Sequence, residues 1–241
     1  MIDAFNEKVT MSSRKADGKM YVTFLEHTIE FDLSNKFNHT FGHFVKRGNG
    51  FDKFQIIEPG FLKALNGISK NFKIDHAIDI GCQNLYTTLM MQKVFDANVV
   101  GYDIDPIALE AAHLNLASNP TDAITINSYG FGNGKNNTVL LNDYTDPVDL
   151  ILSDIEGYQS EVIEGGLEFI NNKRPIIIME TDKENAVDYK RPDRENIEGF
   201  EDYAYLYNTD HRARHTIFQT IERKDIPVND GLLICIPKER M

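Results

Sequence analysis

Short, nearly continuous apolar runs recur through the last two-thirds of the chain: Ala77-Ile78-Asp79-Ile80, Asn98-Val99-Val100-Gly101-Tyr102, Ile124-Thr125-Ile126, Val148-Asp149-Leu150-Ile151-Leu152 and Pro175-Ile176-Ile177-Ile178-Met179. Runs of this length without polar alternation are the pattern of strands buried on both faces. The stretches between them read as helices over 87–95, 106–117 and 160–170, the second opened by Pro106, which is tolerated in a first turn. Strands alternating with helices predict an α/β fold, a mostly parallel sheet covered on both sides with right-handed crossovers. Gly231-Leu232-Leu233-Ile234-Cys235-Ile236-Pro237 predicts a closing strand.

The first 70 or so residues follow another rule. Lys19–Leu25 and His27–Phe31 partly alternate apolar with polar, which suits a half-solvated hairpin. Phe37, Phe41, Phe44, Phe51 and Phe54 surround the turn signal Arg47-Gly48-Asn49-Gly50, and a helix is expected over 58–71, with Pro59 in its first turn. The chain therefore divides into an N-terminal extension or cap, 1–70, and a body, 71–241. Within the body, the polar stretch 183–215 is expected to be a lid or a mobile insertion.

Composition narrows the partners. Hydrophobic residues make up 41% and charged residues 26%, the balance of a soluble globular protein. The formal charge of −12 weighs against nucleic-acid and anionic-membrane partners, which are bound through basic surfaces. Cys82 and Cys235 stand 153 positions apart, with neither zinc spacing nor a disulfide framework, so a reducing, cytoplasmic setting is expected. No apolar run approaches the ~20 residues of a membrane helix, and the polar N-terminus lacks the apolar centre of a leader. Residue patterns do not settle the oligomeric state; a homodimer is carried forward as the assembly to test.

In a parallel sheet, ligands bind beyond the carboxyl ends of the strands, so the chemistry is sought there. Asp103 follows Gly81 by 22 residues. A glycine turn and a strand-end acid at about that spacing form a nucleoside-binding arrangement, the glycine admitting the ligand and the carboxylate accepting from two ribose hydroxyls. The alternative makes Gly81 a plain turn and Asp103 the cap of the helix begun at Pro106. Asp105 is better placed as that cap, which frees Asp103.

Four segments together resemble the FkbM-type methyltransferases: Asp79-Ile80-Gly81, Gly101-Tyr102-Asp103-Ile104-Asp105-Pro106, Asn115-Leu116-Ala117-Ser118-Asn119 and, most specifically, Ser153-Asp154-Ile155-Glu156-Gly157-Tyr158-Gln159-Ser160-Glu161-Val162-Ile163-Glu164-Gly165-Gly166. The lead-in Phe51–Glu58 is similar too, so the resemblance covers roughly 51–181 and, weakly, the closing strand. It implies a Rossmann-like class I methyltransferase fold with a seven-stranded sheet, and S-adenosyl-L-methionine as cofactor. The cofactor residues it implies are Glu58, Asp79, Gly81, Gln83, Asp103 and Ile104. Three positions depart from the family pattern: Gln159 replaces a glutamate, Gln83 replaces the asparagine of the first loop (or that asparagine is displaced by one to Asn84), and Leu85 replaces the last glycine of the same loop. A leucine there would be strained at φ > 0 and would crowd a ligand lying against that backbone.

On the acceptor side, Asp154 and Glu156 end the fourth strand. Either is placed to take the proton of an oxygen nucleophile. The pair could instead hold a divalent cation, or Glu156 could cap the Gly157 turn. Glu180, after the fifth strand, and His211, in the expected lid, are read as substrate-side; His211 and His215 lack a carboxylate at metal spacing, so no metal site is expected. The leading expectation is O-methyl transfer to a hydroxyl of a small-molecule or sugar-like (glycan) acceptor. Its rivals are a methyltransferase-like binding module closed by Leu85, and an NAD(P)-dependent oxidoreductase, which the absence of G-x-G-x-x-G disfavours.

Overall fold

A computed structural model of the chain describes residues 1–39, 59–135, 137–155, 157–181, 197–209, 217–227 and 231–241. Helix α1 (Ile2–Asn6) leads into an antiparallel meander, β1 (Met11–Ala16), β2 (Lys19–Phe24) and β3 (His27–Asp32). Then come α2 (Pro59–Ser69), β4 (His76–Ile80), α3 (Tyr86–Phe95), β5 (Asn98–Tyr102), α4 (Pro106–Ser118) and β6 (Ile124–Asn127). A two-residue parallel pair, β7 (Gly130–Phe131) and β8 (Thr138–Val139), precedes β9 (Leu150–Ser153). The chain continues through α5 (Gln159–Glu164), α6 (Leu167–Lys173), β10 (Ile176–Thr181), β11 (Tyr203–Asn208), β12 (Gln219–Ile221) and β13 (Gly231–Pro237).

One sheet of eight strands organises the described residues, in the order β12-β11-β13-β10-β9-β4-β5-β6. The five apolar runs read from the sequence are its parallel strands, and β13 enters antiparallel beside β10. This is the expected α/β architecture, a mostly parallel sheet flanked by helices, with β12 added to the expected seven strands at one edge. No helix among the described residues is long and apolar enough to cross a membrane.

Period-2 alternation in β2 turns Met20, Val22 and Phe24 inward, and β3 adds Ile29 and Phe31. These side chains share one core with Leu62 and Leu65 of α2, Leu89 of α3, and Leu150, Ile176 and Ile234 of the sheet. The meander is thus packed into the layer covering one face of the sheet. Residues of α5 and α6, among them Val162 and Phe169, cover the other face.

Two expectations are corrected. Residues 203–208, inside the stretch read as a lid, form strand β11, hydrogen-bonded to β12 and β13 and almost wholly buried. Tyr203-Ala204-Tyr205-Leu206-Tyr207 is rich in β-prone aromatics, and the surrounding polar sequence hid it. Residues 183–196 and 210–215 of that stretch lie outside the described residues. The helix expected over 160–170 is instead two short helices, α5 and α6, broken at Gly165-Gly166. A Cβ at Gly165 would stand 2.2 Å from the carbonyl oxygen of Gly132, so the break lets the β7–β8 loop pack against the helix pair.

Candidate functional site

The sheet's direction of winding reverses between β4 and β9, with β5 and β6 on one side and β10 on the other. At the carboxyl ends flanking this switch point lies a cavity of about 400 Å³. Gly81, Gln83, Asp103, Ile104 and Asp154, all read from the sequence as site residues, line it.

The loop after β4 is built around its neighbour's strand end. Backbone N–H groups of Gly81 and Cys82 both donate to the carbonyl of Tyr102, at 2.8 and 3.0 Å. Gly81 has φ +87°, and a Cβ on it would fall 2.2 Å from the Asp154 carbonyl oxygen, so only glycine fits between β4 and β9. Gln83 N–H donates to Asp103 Oδ2 at 2.8 Å, and Asp105 N–H donates to Oδ1 at 2.8 Å. Each oxygen of Asp103 therefore keeps acceptor capacity, in a residue that lines the cavity. Asp105 caps α4 by accepting from the Ile107 N–H at 2.9 Å, as expected, so Asp103 is not the cap.

Leu85 holds the left-handed conformation, φ +68°, that a glycine would adopt freely. Its side chain is fully buried in the core beneath the loop, within the cluster that contains Leu89 and Val99, and is not part of the cavity wall. The expected strain is present; the expected crowding of a ligand by the isobutyl group is not.

Asp79 is fully buried and does not line the cavity. Its Oδ2 accepts from Thr87 Oγ1 at 2.7 Å and Thr88 Oγ1 at 2.5 Å, tying β4 to the first turn of α3. Oδ1 has no hydrogen-bond partner. Burial pushes the Asp79 carboxyl up to about 6, against the pull of the two threonine hydroxyls.

The remaining walls were not legible in the sequence. Tyr102 and Phe131 pack with ring centroids 4.7 Å apart and planes tilted by 58°, and Tyr129 and Tyr144 flank them. Burial and hydrogen bonds to Tyr144 and Tyr129 hold the Tyr102 phenol well above its ordinary range, so it stays neutral. Beside them Ile104, one of the residues read from the sequence, is 56% exposed at the cavity although apolar. Lys135 arrives from the β7–β8 connection, Thr138 from β8, Tyr158 and Glu161 from the start of α5, and Phe37 from the N-terminal extension. The Gly130-Phe131-Gly132 run was the one local signal for this wall.

Glu180 is buried and does not line the cavity; its backbone carbonyl accepts from Gln159 Nε2 at 3.2 Å. Gln159 Oε1 in turn accepts from the Gly157 N–H at 2.8 Å. A buried amide serves as donor and acceptor at once, which an ionised glutamate cannot do, and this accounts for glutamine at that position. Glu58, Glu156 and His211 lie outside the described residues.

A family model described as ribosomal protein L11 methyltransferase (PrmA) matches residues 60–167. The ribosomal protein L11 methyltransferase of Bacillus cytotoxicus is 33% identical over 98 residues, 40% of this chain and 29% of that protein. The enzyme of the same name from Bacillus cereus strain B4264 is 33% identical over 81 residues, 34% of this chain and 23% of that protein. The chain thus spans less than a third of the length of these curated relatives. Among solved structures, methyltransferase FkbM from Methylobacillus flagellatus superposes with a TM-score of 0.50 at 16% identity, covering 66% of this chain and 43% of that one. That likeness bears on the fold; the family match bears on the segment from α2 to the start of α6, which carries the loop after β4, Asp103 and Asp154.

Proposed function

We propose that the chain is an S-adenosylmethionine-dependent methyltransferase of class I type, transferring the methyl group to a hydroxyl of a small-molecule or sugar-like acceptor. The observation that carries the reading is Asp103. Its carboxylate is fixed by two backbone N–H donors at the edge of the cavity, and each oxygen keeps a free acceptor direction. The cofactor fits the residues present. A ribose diol would satisfy both oxygens of Asp103. The apolar surface of Ile104, Ala108 and Phe131 offers a slot for a planar base, and Gly81 brings backbone close to the ligand. The methyltransferase match over 60–167 supports the same cofactor.

When bound, the cofactor supplies an electrophilic methyl on a sulfonium. The chain's own work is then to orient the acceptor and to receive its proton. Asp154 is the carboxylate at the end of β9 in the cavity wall and suits the second task. Orientation of the acceptor oxygen in line with the methyl supplies most of the acceleration. Glu156 and His211 are proposed on the acceptor side with Asp154 from the FkbM-like pattern alone; Glu180, buried away from the cavity wall, is not carried into the site.

Calorimetric titration with S-adenosylmethionine, S-adenosylhomocysteine and NAD tests the cofactor. Binding of both adenosyl compounds without NAD is expected. NAD binding alone would restore the oxidoreductase, and no binding at all would leave a ligand-free module. Labelled-methyl transfer to a panel of hydroxyl, amine and protein acceptors, ribosomal protein L11 included, then tests the acceptor class.

A further inference from the structure

Beneath the loop after β4, three buried asparagines from three distant parts of the chain form one amide cluster. Asn38, in the N-terminal extension, and Asn115, on α4, are both fully buried and pair reciprocally: Asn38 Nδ2 donates to Asn115 Oδ1 at 2.7 Å, and Asn115 Nδ2 donates to Asn38 Oδ1 at 3.0 Å. Asn84, in the loop, donates from Nδ2 to Asn38 Oδ1 at 3.0 Å, and its carbonyl accepts from Asn115 Nδ2 at 2.8 Å. The second hydrogen of Asn38 Nδ2 goes to the Asp32 carbonyl at 2.8 Å, closing the link to β3. Every N–H of the Asn38 and Asn115 amides is used, so the cluster has one arrangement, and removing a member strands buried polar groups.

Asn84 lies between Gln83, whose N–H holds Asp103, and Leu85, which sits in a strained conformation. Residue 37, adjacent to Asn38, places the Phe37 ring in the cavity wall, and Phe31 packs against Tyr86 just past the loop, with centroids 6.1 Å apart. A strained loop needs surrounding structure to hold it. We propose that the N-terminal extension is a working part of the cofactor site. In this arrangement Asn38 is a positioning residue that fixes the loop through Asn84 and Asn115, and Phe37 closes one side of the cavity. The inference rests on the cofactor reading above.

Asn119 supplies the control. Its side chain pairs both ways with the backbone of Glu30, accepting at 3.0 Å and donating at 2.6 Å, so it joins the same extension to the same helix without touching the loop. The test compares Asn38→Ala, Phe37→Ala and Asn119→Ala in the full chain by thermal unfolding, S-adenosylhomocysteine affinity well below the melting temperature, and hydrogen exchange at the Gln83 and Leu85 amides. Asn38→Ala is expected to weaken binding about tenfold or more and to speed exchange at both amides. Asn119→Ala should lower the melting temperature and leave affinity and loop exchange as in the parent. Phe37→Ala should weaken binding with little loss of stability. Equal affinity and equal loop exchange in Asn38→Ala and Asn119→Ala would overturn the proposal, reducing the cluster to a structural tie. If Asn38→Ala does not fold, unchanged affinity in Phe37→Ala overturns it. If the parent does not bind S-adenosylhomocysteine, the cofactor reading fails, and loop exchange in Asn38→Ala alone decides whether the extension holds the loop.

Discussion

The backbone N–H of Gln83 and the carboxylate of Asp103 meet at 2.8 Å, which makes the loop after β4 and the acid after β5 one hydrogen-bonded unit. Asp103 therefore has two tasks, holding the loop and offering acceptors to a ligand. Asp103→Ala should weaken S-adenosylhomocysteine binding by about 1.5–3 kcal/mol, the range for hydrogen bonds to a charged group. Asp103→Asn keeps one acceptor oxygen and should lose less. Calorimetric titration of a folded variant with an unchanged dissociation constant would exclude a ribose role.

Leu85→Gly sets backbone strain against burial. Glycine would relieve about 1–2 kcal/mol of left-handed strain. Removing a fully buried leucine side chain costs about 2–5 kcal/mol. A net loss of stability of about 1–3 kcal/mol is expected in denaturant titrations. Because the side chain points into the core, cofactor affinity should not improve. Tighter binding in the variant would show that leucine at this position does limit the cofactor loop.

The parallel strands were legible because each is a short apolar run that cannot be solvated on either face, and the strand-end acids followed from the topology those runs imply. Tyr203–Asn208 was not legible: aromatic alternation inside a polar stretch looks the same whether a strand is buried or a lid is exposed. Phe131 and Thr138 reach the cavity from strands of only two residues, and Lys135 from the connection between them, too short to leave a periodic signal. Asn38 was invisible for another reason. Its partners Asn84 and Asn115 lie 46 and 77 residues away, and a polar residue gives no hint in the sequence that it will be buried. Conversely, Asp79 reads from sequence as a cofactor ligand, yet folding buries it beneath the cavity with Oδ2 accepting from Thr87 and Thr88.

Asp79 predicts a specific pH dependence. Its carboxyl is pushed from the ordinary 3.8 up to about 6 in the folded chain by burial. The folded state therefore binds this proton more tightly than the unfolded one. The stabilising contribution is full below about pH 4 and is lost as pH rises through about 6. By linkage the loss approaches about 3 kcal/mol above pH 7. Asp79→Asn removes this titration and keeps an oxygen for the threonine hydroxyls. Unfolding free energies of parent and variant, measured by denaturant from pH 4.5 to 7.5, should diverge in the variant's favour as pH rises. Parallel curves would mean that Asp79 stays ionised throughout that range in the folded chain.

Asp154 is the residue on which acceptor chemistry turns. Its backbone N–H donates to the Ile80 carbonyl at 3.1 Å, so the strand end is held independently of the side chain. Asp154→Asn can thus remove the charge while the backbone around Gly81 stays in place. If Asp154 takes the acceptor proton, turnover should fall about 10²–10⁴-fold. S-adenosylhomocysteine affinity should stay close to that of the parent, because the charged contact proposed for the cofactor is Asp103, and Gly81 beside Asp154 contributes backbone only. The variant should also lose the acidic limb of the parent's pH–rate profile. A residue that only orients the acceptor would instead raise the acceptor's KM and leave kcat nearly unchanged. Glu161→Gln is the companion variant, since that carboxylate lines the same wall. A large rate loss there with full activity in Asp154→Asn would move the base from the end of β9 to the first turn of α5.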